Sequence, residues 1–166
     1  TWFIPEGGAN PEGIWGCQQI YQEALTQNNN RHFDAVFIAQ GTTTTSLGIL
    51  AALPPSTQLF VVPVLKGFNS ISEMQALANL AQLNTLTNHL SFPFEQVTVL
   101  DQYHHGGYAK TSKELIDFIN FFNQTNQFLI EPTYTGKTLY ALSHELPPNL
   151  NQAFQSILFV HTGGVV

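Results

Sequence analysis

Short, almost unbroken apolar runs alternate along this chain with longer stretches of helical periodicity, and that alternation restricts the fold more than any single motif. DAVFIAQ (34–40), QLFVVPVL (58–65), QVTVLD (96–101) and SILFVH (156–161) read as strands, and WFIP (2–5) as the end of another. Between them, GIWGCQQIYQEALTQ (13–27) sets Ile14, Cys17, Ile20, Tyr21, Ala24 and Leu25 at helical spacing. A second helix runs through SLGILAAL and stops at Pro54-Pro55. SISEMQALANLAQLN (70–84) begins with serines ahead of Glu and Gln, a helix-start signal. KTSKELIDFINFFNQ (110–124) puts Leu115, Ile116, Ile119 and Phe122 on one face, and TGKTLYALSHEL (135–146) is a shorter helix ended by Pro147-Pro148. Strands that are apolar on both sides need cover on both faces. Strands separated by helices call for parallel pairing. The expectation is one doubly wound α/β domain over residues 1–166, a parallel sheet with helices on both faces in three αβα layers, with no repeat or linker.

Composition narrows the partners. The 166 residues suffice for one sizeable core. Charged residues are only 10%, against about 25% in ordinary soluble domains. A net charge of −6 with five Lys and Arg argues against nucleic acid, whose phosphates are held by basic clusters. No apolar run reaches the roughly 18 residues of a membrane helix. Cys17 stands alone, which excludes a disulfide framework and a cysteine zinc site and makes a reduced, cytoplasmic setting the default. The chain opens on TWFIPEGG, without an initiator Met or signal-peptide pattern, and closes on ILFVHTGGVV directly after a strand. Both ends are expected to be cuts through a longer protein.

In a parallel α/β sheet, ligands bind beyond the carboxyl ends of the strands. QGTTTTSLG (40–48) lies at such a point, where a strand hands over to a helix. Free N–H groups of a first helical turn attract anions. Threonine hydroxyls add donors, and Gly41 lets the backbone approach closely. With no Lys or Arg in the loop, the chemistry suits one phosphate held by neutral donors. The plainer alternative is that one threonine caps the helix and the others are incidental. GKT (136–138) imitates the end of a nucleotide loop, but position 131 is Glu where that motif needs Gly. His104-His105 suit a loop role better than metal ligation, because adjacent side chains diverge. No G-x-S-x-G elbow is present. HHGGY (104–108), PTYTGK (132–137) and HTGG (161–164) each put polar residues near a strand end or helix start. Singly these are turn chemistry, but with the threonine loop they would face one edge of the sheet.

IPEGGANPEGIWG, GTTTTSLG, GGY, EPTYTGK and ILFVHTGG, in this order, resemble the 1-aminocyclopropane-1-carboxylate deaminase and D-cysteine desulfhydrase family. These are enzymes dependent on pyridoxal 5'-phosphate (PLP), with the tryptophan-synthase-β fold (fold type II). The resemblance covers nearly the whole chain and implies the carboxyl-terminal half of such an enzyme, mostly its large domain, with the amino-terminal half absent. It implies that Gly41, Thr42, Thr43, Thr44 and Thr45 form the cofactor phosphate loop. It makes Tyr108 and Tyr134 the two active-site tyrosines, and places Thr135, Thr162 and Gly163 at the cofactor, with Thr162 meeting the pyridine nitrogen. Relatives usually carry Gly or Ser at Thr44, His or Gln at Ser46, Ser at Ala9 and Tyr at Cys17.

Two positions separate activities within the family. The deaminase type resembles YEGK with HLGG, whereas this chain has YTGK and HTGG, the desulfhydrase-like pairing. A hydroxyl stabilises a protonated ring nitrogen less than a carboxylate does. Expelling a thiolate demands less electron withdrawal than opening a cyclopropane. The reading is α,β-elimination, D-cysteine going to pyruvate, ammonia and sulfide. Alternatives are 1-aminocyclopropane-1-carboxylate deaminase, a non-catalytic phosphate-ligand binding domain, and an inert structural piece. The family's Schiff-base lysine belongs to the amino-terminal half, and Lys66, Lys110, Lys113 and Lys137 do not match its context, Lys137 reading as a helix-start residue. The isolated chain is therefore expected to be inactive. The full-length protein is expected to be a homodimer acting on a small amino acid.

Overall fold

The structure is a computed structural model that describes residues 4–146 and 154–163. Four parallel strands, β1 (Ala35–Gln40), β2 (Gln58–Pro63), β3 (Val97–Val99) and β4 (Ile157–Val160), form one sheet in the order β3-β2-β1-β4. Ala35 lies opposite both Gln58 and Ile157, and Leu59 opposite Val97. Five α-helices accompany them: α1 (Pro11–Gln27), α2 (Thr44–Leu50), α3 (Ser70–Gln82), α4 (Lys113–Thr125) and α5 (Thr135–Glu145).

Side chains alternate across a strand, so β1 and β2 each feed two cores. Val36, Ile38, Leu59 and Val61 pack with Ile14, Tyr21, Leu47, Met74 and Leu77, from α1, α2 and α3. Ala35, Phe37 and Val62 face the other way and meet Ala141 of α5. Phe37 stacks on Phe60 there at 4.4 Å. A smaller cluster of Leu115, Ile119 and Ile130 joins α4 to α5. Every residue of β1 is buried. This is the expected three-layer αβα arrangement.

Several boundaries move for local reasons. Asn10 caps α1 ahead of Pro11, its Oδ1 accepting from Gly13 N at 2.7 Å. Asn69, not the following serines, caps α3. Ser112 caps α4 through Leu115 N, so that helix starts at Lys113 rather than Lys110. The strand expected over 96–101 pairs only at 97–99, and Asp101–His104 forms a 3-10 segment kinked at Tyr103. Trp2, Phe3, Pro147 and Pro148 lie outside the described residues, and Ile4 belongs to no strand. Gly48 lets α2 press onto α1: a Cβ there would sit 2.4 Å from Cys17 Cβ and 2.7 Å from Ile14 O. Among the described residues, no helix is long and apolar enough to cross a membrane.

Candidate functional site

β1 ends at Gln40, and the next residues form the threonine loop. Gln40 is buried, and its Nε2 donates to Ser46 Oγ at 2.9 Å. Ser46 Oγ in turn donates to Thr43 O at 2.8 Å. Strand end and helix start are thereby tied together around the loop. Thr43 adopts φ 65°, ψ −19°. This left-handed conformation disfavours a β-branched residue by about 1–2 kcal/mol. Followed by the right-handed turn of α2, it curls successive N–H groups into a concave ring that suits an anion. The N–H groups of Thr42, Thr43, Thr45 and Ser46 meet no acceptor among the described residues. Thr43, at the N-cap of α2, makes no side-chain capping bond. The hydroxyl of Thr44 turns back to Thr42 O at 3.4 Å, and that of Thr42 reaches Gly7 O at 3.4 Å.

A cavity of about 270 Å³ opens on this loop, lined by Gly41 through Ser46, Tyr134 and Thr162, with Glu6 and Gly7. A second, of about 210 Å³, shares Glu6, Gly41, Thr42 and Tyr134 and adds Val64, Leu65 and Tyr108. Residues 41–45 and Thr162, more than a hundred positions apart in sequence, thus line one space. Tyr108 enters through the adjoining one, its ring edge-to-face with Tyr134 at a centroid distance of 6.1 Å. Two expected residues stand outside both linings. Thr135 is fully buried, and its Oγ1 accepts from Glu131 N at 2.9 Å. Gly163 is exposed with φ 96°, its N–H donating to His161 Nδ1.

The turn that aims Tyr134 is built by Glu131. Its carboxylate accepts from Thr133 N at 2.6 Å, Tyr134 N at 2.6 Å and Thr135 N at 2.8 Å, while its carbonyl takes Gly136 N at 2.7 Å. In the sequence Glu131 served only to rule out a nucleotide loop. A carboxylate four residues ahead of a helix start was the available signal. Burial, then the neighbouring Tyr108 hydroxyl and the charges of Glu131 and Glu6, push the Tyr134 phenol up to about 12. Tyr134 therefore keeps its proton at neutral pH.

Lys137 is the other residue the sequence reading undervalued. It is fully buried, and its Nζ donates to Gly107 O at 2.7 Å. Burial lowers its pKa. Its spacing from the buried Ala141 already puts it on the inward stripe of α5. His104 and His105 shape the loop before Tyr108: His104 Nδ1 accepts from Gly106 N, and His105 Nδ1 contacts Ser112 Oγ at 3.0 Å. Burial lowers the His105 pKa, as does the charge of Lys137. No group of three or more metal-ligating side chains exists among the described residues. Neutral donors, free N–H groups and a hydroxyl at Thr162 fit a flat ligand carrying one phosphate.

Comparison with known proteins agrees with this chemistry. A protein of Pyrococcus furiosus, provisionally named a 1-aminocyclopropane-1-carboxylate deaminase, is 29% identical over 99% of this chain and 50% of its own length. The D-cysteine desulfhydrase of Yersinia pestis (strain Pestoides F) is 28% identical over 98% of this chain and 50% of its own. The crystal structure of an ACC deaminase homologue superposes with a TM-score of 0.80 at 26% identity, covering 98% of this chain and 49% of that one. The chain thus spans about half the length of these relatives. Residues 1–163 match the family described as pyridoxal-phosphate dependent enzymes, and the chain belongs to that family.

Proposed function

We propose that this chain is the carboxyl-terminal half of an enzyme that uses pyridoxal 5'-phosphate for α,β-elimination on a small amino acid. The favoured reaction takes D-cysteine and one water to pyruvate, ammonia and hydrogen sulfide. The observation that carries the reading is the single cavity shared by the neutral donor loop at 41–45 and the hydroxyl residue Thr162. When bound, pyridoxal phosphate withdraws electrons from the substrate's α-carbon.

The residues of this chain supply the surroundings. Gly41 to Thr45 would hold the phosphate through N–H groups and hydroxyls, without a basic side chain. Thr162 would offer the ring nitrogen a hydroxyl, and Thr135, bonded to Glu131 N, would bring no carboxylate to it. The electron withdrawal supplied there would then be weaker but adequate for a leaving thiolate. Tyr134, which keeps its proton because burial pushes its pKa up to about 12, would donate a hydrogen bond to the departing sulfur. Tyr108 contacts the substrate beside it. Naming of the P. furiosus relative and the solved homologue favours 1-aminocyclopropane-1-carboxylate deamination as the second reading.

The covalent lysine would come from the half of the fold that this chain does not span. Lys137 is unsuited to that role, being buried against Gly107. The isolated chain is therefore inactive, and the full-length protein is a cytoplasmic homodimer. The test is to assay the full-length protein, loaded with cofactor, on both substrates. Sulfide and pyruvate from D-cysteine are expected. Ring opening without D-cysteine turnover would exchange the two readings, and failure to bind the cofactor would leave only a non-catalytic phosphate-ligand domain.

A further inference from the structure

We propose that Lys137 is a positioning residue that fixes Tyr108 in the site by holding the carbonyl of Gly107. The bond itself is a feature of the fold; its value to the reaction rests on the function proposed above.

Tyr108 has little packing of its own. It is 56% exposed, and the aromatic ring it meets among the described residues is the edge of Tyr134. Its place is set by the backbone on either side, and that backbone is unusual. His105 (φ 48°), Gly106 (φ 97°), Gly107 (φ 114°) and Ala109 (φ 52°) all have positive φ, so the segment has no sheet or helix ladder to hold it. Its internal bonds are Gly107 N to His104 O and Lys110 N to Gly107 O, each 3.0 Å, with Gly106 N to His104 Nδ1 at 2.8 Å. The Gly107 carbonyl thus accepts twice, from Lys110 N and from Lys137 Nζ. Of these two, the second ties the residue next to Tyr108 to α5, while earlier in the loop His105 packs edge-to-face on Tyr140 of the same helix.

A fully buried lysine is costly to keep, because its ammonium loses hydration. Among the described residues, its Nζ has the Gly107 carbonyl as its one hydrogen-bond partner. An apolar side chain of similar length would fill the same face of α5. The lysine does what such a side chain cannot, reaching across to the backbone next to Tyr108. It also lies one helical turn beyond Tyr134. One helix start thereby sets both tyrosines, Tyr134 through the Glu131 turn and Tyr108 through Lys137. Their spacing follows from a rigid element rather than from two independent loops.

The experiment uses the full-length protein with Lys137→Met, which keeps the stem and removes the donor. Amide hydrogen exchange, read by mass spectrometry, is expected to rise about ten-fold or more over residues 103–110 and to stay unchanged over β1. With D-cysteine, kcat is expected to fall, and Lys137→Met should cost little further in a Tyr108→Phe background, since both act through one ring. Unchanged loop exchange, a rise shared by β1, or fully additive kinetic losses would each overturn the proposal. Should the variant fail to fold, trace acetylation of the native protein decides: protection of Lys137 relative to the exposed Lys113 supports the contact, and equal labelling overturns it. An enzyme without activity on either amino acid would sink the functional reading, while the exchange result would still judge the bond.

Discussion

Glu131→Ala removes the one side chain that ties three consecutive N–H groups at the start of α5. Those bonds are 2.6, 2.6 and 2.8 Å long and charge-assisted. Loss of a single helix cap costs about 0.5–2 kcal/mol, and hydrogen bonds to charged groups are worth about 1.5–3 kcal/mol each when isolated from water. Glu131 is only half-buried, so water recovers part of this. The expected loss is about 2–3 kcal/mol for Glu131→Ala and about 1 kcal/mol for Glu131→Gln, which keeps the acceptor toward Tyr134 and Thr135. Urea unfolding of the full-length protein reads this directly, as a lower midpoint at unchanged slope. Turnover should fall further than stability predicts, because Tyr134 loses the turn that aims it. A stability loss below about 0.5 kcal/mol for the alanine variant, the range of ordinary surface changes, would refute the claim that the carboxylate builds this helix start.

Gly48→Ala should destabilise by about 2–3 kcal/mol, measured in the same way, and Cys17→Ala should not relieve it because Cβ at position 17 remains. Thr43→Gly should leave stability within about 1 kcal/mol, relief of left-handed strain offsetting glycine's entropy. Thr43→Pro, with φ fixed near −65°, should cost about 3 kcal/mol or more by the same unfolding measurement. Tyr134 and Tyr103 are both pushed up to about 12, each first by burial and Tyr103 next by Glu145. An unfolded tyrosine ionises near pH 10. Between pH 10 and 12 the unfolded state has lost those protons and the native state has not, so stability falls as pH rises. Tyr134→Phe and Tyr103→Phe should each flatten that fall in unfolding measurements.

Periodicity made the sheet and its covering helices legible, because burial on both faces writes itself into strands such as DAVFIAQ. Ends of elements were less legible. Asn69 displaced the serines as the cap of α3, since only the folded turn decides which oxygen meets Ser72 N. The threonine loop could be read from glycine and hydroxyls at a strand-to-helix junction. Its working part is backbone geometry, the left-handed Thr43, which residue type argues against. Thr135, expected at the cofactor, bonds Glu131 N and lies outside both cavity linings, a placement no local pattern announces. Lys137 read only as a helix-start residue, because its partner lies 30 residues away. Contacts of that separation leave no local pattern to read.

The relay from Gln40 through Ser46 to Thr43 has a kinetic corollary. A loop braced at both ends before any ligand arrives has little ordering entropy left to lose on binding. Capture of a phosphate there should then be governed by diffusional encounter, and calorimetry should find only a small conformational component in the binding entropy.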